Sequence, residues 1–111
     1  MRIAAALLAL LPATGQAAGL SHSIYICDRE IKLDVVYVQS DGPDQAIVMA
    51  EGHIAMLSAV PSSEGKRYRN SPVASDYVWW VKDREAMLGW YDAATGNEAV
   101  VYQSCNRVST E

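Results

Sequence analysis

Three catalytic signatures are missing from this 111-residue chain: it has no His-x-x-x-His pair, no Cys-x-x-Cys and no Gly-x-Ser-x-Gly. Neither a metal hydrolase nor a serine hydrolase is therefore signalled. Histidine is scarce, with only His22 and His53. The first lies beside an expected processing site and the second follows Glu51-Gly52, both surface positions rather than ligand positions. No metal or cofactor is expected. Carboxylates are present, but no spacing brings two of them across a cleft as acid and base, so the chain is read as a binding protein and not an enzyme. Basic residues are few: 9 Lys and Arg stand against 13 Asp and Glu, a net charge of −4. That balance excludes nucleic acid as a partner and favours attraction to a strongly basic protein. Beyond the first residues no apolar run is long enough to cross a bilayer.

What is present begins with an export pattern. Arg2, an apolar run from Ile3 to Leu11 and small residues through Gly15-Gln16-Ala17-Ala18 form the three parts of a secretory signal over residues 1–18. Residues 19–111 are then a single domain, and removal of Arg2 would leave eight basic and thirteen acidic side chains, or −5. The first cysteine follows Ile24-Tyr25-Ile26, not the small residues a lipid-modified cysteine needs, so the expectation is a periplasmic protein without a membrane anchor. Cys27 and Cys105 are the only cysteines. An even count in an oxidising compartment favours one disulfide between them, worth roughly 4–5 kcal/mol in the chain-entropy model.

No segment carries the 3.6-residue period of a long amphipathic helix; β-branched and aromatic residues come instead in short runs. Strands are predicted over 23–28, 32–39, 45–51, 53–60, 67–70, 77–82, 86–92 and 98–105. The connections Asp28-Arg29-Glu30, Asp41-Gly42-Pro43, Glu51-Gly52, Asp83-Arg84 and Thr95-Gly96-Asn97 have hairpin chemistry. Many short antiparallel strands in a small domain must hide their edges. An all-β fold, an eight-stranded antiparallel barrel closed by one disulfide, is therefore predicted in preference to a sandwich. Trp79 and Trp80 must point to opposite faces, one into the barrel and one out. The stretch from Val60 to Asp76, poor in alternating apolar residues, is the one long candidate for a functional loop.

Two segments stand out, Pro61-Ser62-Ser63-Glu64-Gly65-Lys66-Arg67-Tyr68 and Tyr77-Val78-Trp79-Trp80-Val81-Lys82-Asp83-Arg84-Glu85-Ala86-Met87-Leu88. Taken with Tyr25-Ile26-Cys27-Asp28 and Cys105, they resemble the membrane-bound and periplasmic inhibitors of c-type lysozyme, the MliC/PliC family. The resemblance covers most of residues 19–111. It implies that Lys82 matches the lysine that reaches into the lysozyme active site, and that Gly65, Arg67 and Tyr68 match a recognition loop. The family's contacting serine falls on Glu64, with Ser62 and Ser63 just before it, and Asp83 stands where glycine is usual. The partner implied is a c-type lysozyme, met by a monomer or a homodimer.

The chemistry of such inhibition follows from the target. Lysozyme cleaves with two carboxyl groups facing each other across a cleft. A lysine ammonium on a long stem offers three donors, enters between both acids, and favours their ionised forms, removing the proton the general acid must donate. Two other functions fit the same fold. One is a small-ligand carrier using the barrel interior, although a barrel of eight strands is readily filled by its own side chains. The other is an envelope interaction module in which Glu64 has ended lysozyme binding.

Overall fold

In the computed structural model, residues 19–70 and 73–110 are described; the expected leader, residues 1–18, lies outside them. Eight strands follow one another in chain order: β1 Gly19–Ile26, β2 Lys32–Gln39, β3 Gln45–Ala50, β4 His53–Val60, β5 Lys66–Arg69, β6 Asp76–Lys82, β7 Glu85–Asp92 and β8 Asn97–Thr110. Each pairs antiparallel with the next, and β8 returns to β1, so the sheet is a closed barrel. Closure leaves no open edge. Local chemistry sets the turns: Ala50 faces His53 across Glu51 and Gly52, both at positive φ, the backbone of a tight two-residue hairpin.

Two predicted boundaries differ from the structure by more than two residues, and one connection differs in form. Strand β8 runs to Thr110 and not to Cys105, because the closing strand serves two neighbours: Asn97–Asn106 pair with β7 and Asn106–Thr110 with β1. Strand β1 starts at Gly19 and not at Ser23, because its first four residues, Gly19 to His22, pair with Val36 to Gln39 of β2. Asp28-Arg29-Glu30 forms a short 3-10 turn, with Arg29 and Glu30 at positive φ. The Asp28 carboxylate then accepts the backbone N–H groups of Gln103 and Ser104, tying that turn to β8.

Alternation fills the interior. Tyr25, Leu33, Val35, Val48, Leu57, Trp79 and Leu88 are fully enclosed, while Trp80, one residue on, lies on the outer face and is half-buried. With no phenylalanine in the chain, the large buried rings carry polar atoms that need partners. They supply them to each other. Trp79 Nε1 donates to the Tyr37 hydroxyl at 2.8 Å, the Tyr25 and Tyr37 hydroxyls meet at 2.7 Å, and Tyr25 packs edge-on against Trp79 with ring centroids 5.0 Å apart. Burial pushes the Tyr37 phenol up. Burial also raises the Tyr77 phenol, to about 12, helped by its hydrogen bond to Glu51 at 2.5 Å. The Cys27–Cys105 disulfide is present and buried. No helix among the described residues is long and apolar enough to cross a membrane.

Candidate functional site

The site lies at one rim, where the loop between β4 and β5 folds against the end of β6. Gly65 makes that approach possible. It has a φ of +63°, and a Cβ there would lie 2.2 Å from the Val81 carbonyl oxygen and 2.9 Å from Lys82 Cγ, so the tight passage admits no side chain. The residues just before it are held by hydrogen bonds. Ser62 Oγ donates to the Glu64 carbonyl at 2.7 Å, and the Trp80 indole N–H donates to the same oxygen at 2.8 Å. Ser63 is exposed between them.

Strand alternation points Lys82 away from the barrel interior, and the loop meets it there. Lys82 Nζ lies 2.8 Å from Glu64 Oε1 and 4.4 Å from the centroid of the Trp80 ring, a cation held over a π face. The hydrogen bond from Lys82, followed by its charge, holds the Glu64 carboxyl below its ordinary range. Both side chains remain largely in water, with Lys82 51% and Glu64 68% accessible, so the ammonium is still reachable by a partner. A groove of about 270 Å³ opens beside it, between Trp80, Glu85, Met87 and Gln103.

Five of the seven sequence-predicted residues gather at this rim: Ser62, Ser63, Glu64, Gly65 and Lys82. The other two take different places. Arg67 leans on the outer face with its guanidinium 5.5 Å from the Trp80 ring centroid and is ion-paired with Glu98. Tyr68 turns inward and is 4% exposed, its ring tilted against Tyr37 at 5.8 Å, so its side chain supports the loop from inside the barrel.

Sequence reasoning missed the neighbours that organise the site. Trp80 is central, touching Lys82, Arg67 and Glu64 at once; alternation with Trp79 marked it as one of two candidates for the outer face, but nothing in the sequence named its contacts. Glu98 on β8 also pairs with Arg69, whose guanidinium stacks 4.3 Å from the Tyr91 ring centroid. Between β5 and β8 these pairs span the outward positions Val78 and Gly89, which face each other across β6 and β7. Val78 is only 2% exposed although it lies on the outer face, between the inward Tyr77 and Trp79. A hollow of about 430 Å³ opens at this end of the barrel, lined by Tyr37, Tyr68, Lys66 and Arg107 among others, above an interior filled by side chains.

A protein-family model described as "Membrane-bound lysozyme-inhibitor of c-type lysozyme" matches residues 25–97. The chain belongs to this family. Its match spans the loop, Trp80 and Lys82, and stops at Asn97, the first residue of β8. Among solved structures, the chain is similar to Pseudomonas aeruginosa MliC, crystallised in complex with hen egg white lysozyme. The likeness has a TM-score of 0.59 at 24% identity and covers 92% of this chain and 98% of that one, which is a likeness of fold. No curated protein sequence matches the chain.

Proposed function

We propose that this protein is a periplasmic inhibitor of c-type lysozyme that works as a binding protein without catalysis of its own, using the 62–65 loop and Lys82 as the part that enters the lysozyme cleft. Family membership supports the inhibitor reading. The observation that carries the finer one is the convergence of two segments distant in sequence on one exposed rim, with Lys82 2.8 Å from the loop's Glu64. The solved relative is itself crystallised with hen egg white lysozyme.

The mechanism needs only charge and shape. A long, exposed ammonium extended beyond a rigid barrel enters a cleft whose two carboxyls attract it, and there it both blocks the glycan and favours the deprotonated general acid. The barrel contributes preorganisation, since a rim fixed by strands loses little freedom on docking. The net charge of −5 that remains without Arg2 speeds encounter with a basic enzyme.

The test is a lytic assay with the oxidised protein comprising residues 19–111 and a c-type lysozyme. Slowed lysis at stoichiometric or modest excess is expected, and Lys82→Ala should weaken inhibition by about tenfold or more, as for a hot-spot side chain. Undiminished lysis at large excess rejects the inhibitor reading; full inhibition by the Lys82→Ala variant removes Lys82 from it.

A further inference from the structure

Lys82 is not a free cation waiting for a target, because in the isolated protein it already has a carboxylate. Its Nζ rests between Glu64 Oε1, 2.8 Å away, and the Trp80 ring. The backbone of Glu64 is held in place for this meeting. Trp80 and Ser62 both donate to the Glu64 carbonyl, and the next residue, Gly65, is wedged against Val81 with no room for a Cβ. Trp80 thus anchors the loop through its N–H edge and Lys82 through its face. A chance encounter of two flexible chains would have none of these supports.

We propose that Glu64 is an affinity- and selectivity-determining residue, an internal carboxylate that occupies Lys82 until a cleft presenting two carboxyls displaces it. This rests on the inhibitor reading above and deepens it. The selection has a simple physical origin. Leaving Glu64 for one hydrated carboxylate elsewhere gains an ammonium nothing, whereas two carboxyls in a water-poor cleft attract it more strongly. Once Lys82 has moved, Glu64 is left as an anion at the edge of an acidic groove, and like charges set side by side oppose binding. Both effects have the same sign, so neutralising Glu64 strengthens the complex.

Glu64→Gln keeps the size and removes the charge. With hen egg white lysozyme as the probe, it should bind about tenfold more tightly than the parent, while the same change made in a Lys82→Met background should alter binding much less, since the two residues act as a pair. Unchanged or weaker binding by Glu64→Gln overturns the proposal, and so does equal tightening in both backgrounds. The free protein gives a second readout that needs no lysozyme: NMR titration of the Glu64 carboxyl should place it below the ordinary glutamate range and return it there in Lys82→Met. If Lys82→Met leaves that titration unmoved, the internal pair is refuted even where inhibition is strong. If the titration moves but no lysozyme is inhibited, the inhibitor reading fails and this role for Glu64 fails with it.

Discussion

A single glycine decides whether the loop can lie on β6. At Gly65 two constraints coincide, a left-handed backbone and a strand carbonyl only 2.2 Å from where a Cβ would sit. A substituent must either displace the loop from Val81 or hold a conformation that costs an L-residue about 1–2 kcal/mol. Gly65→Ala should therefore lower stability by about 1–3 kcal/mol in urea unfolding and weaken lysozyme inhibition together, because the same displacement separates Glu64 from Lys82. Parental stability and inhibition in this variant would mean that the loop does not need the close passage. Asp83 shows the milder form of the same rule. It sits at φ +57° in the two-residue turn between Lys82 and Glu85, a place where hairpins prefer glycine and where aspartate is one of the better-tolerated alternatives. The glycine usual in the family at this point thus has a backbone reason, and the departure leaves the hairpin that presents Lys82 intact.

Strands β5 and β8 are separated by two others, yet they are coupled over the outside of the barrel through Arg67, Arg69 and Glu98. Exposed ion pairs contribute little, but these arginine side chains are only 21% accessible and lie against Trp80 and Tyr91. Glu98→Ala should therefore cost about 1 kcal/mol, above the surface norm, and a double-mutant cycle with Arg67→Ala should show coupling of at least about 0.5 kcal/mol; additive effects would reduce the ladder to decoration. This ladder marks the limit of what sequence pattern conveys. The positions of β2 and β4 were legible because short runs of β-branched and apolar residues lie between clear turns, and their bounds agree with the structure. The end of β8 was not, since Asn106, Arg107, Ser109 and Thr110 resemble a polar tail and are strand because they pair with β1. At the site, the motifs named the loop and Lys82. The burial of Tyr68, the central place of Trp80 and the Glu64–Lys82 contact depend on the register between β5 and β6, a long-range pairing that local pattern does not contain.

Closing the barrel requires its two ends to meet, and this is the most entropically demanding step in the fold. The β1–β8 seam joins residues more than eighty positions apart in places and is interrupted by a bulge between Ile24 and Tyr25, so it gains little ladder for the chain freedom it removes. The Cys27–Cys105 bond spans 78 positions at the end of this seam, where β1 gives way to the 3-10 turn. A cross-link closing a loop of this length contributes about 4–5 kcal/mol. A domain of this size has a total stability of only about 5–14 kcal/mol. Reduction should thus remove a third or more of it, and the seam should open first. The expected result is a urea midpoint that falls sharply on treatment with thiol, with hydrogen exchange rising earliest in the β1 and β8 amides near Tyr25 and Arg107. The rim at Lys82 lies close to the seam, since Lys82 is opposite Glu85, Glu85 is opposite Asn106 of β8, and the Arg107 N–H donates to the Arg84 carbonyl at 2.8 Å. Inhibition should therefore decline in step with the folded fraction, because the preorganised rim exists only while the cylinder is closed. A reduced protein that keeps both its urea midpoint and its inhibition would show that the ladder alone closes the barrel and that the disulfide is dispensable to the fold.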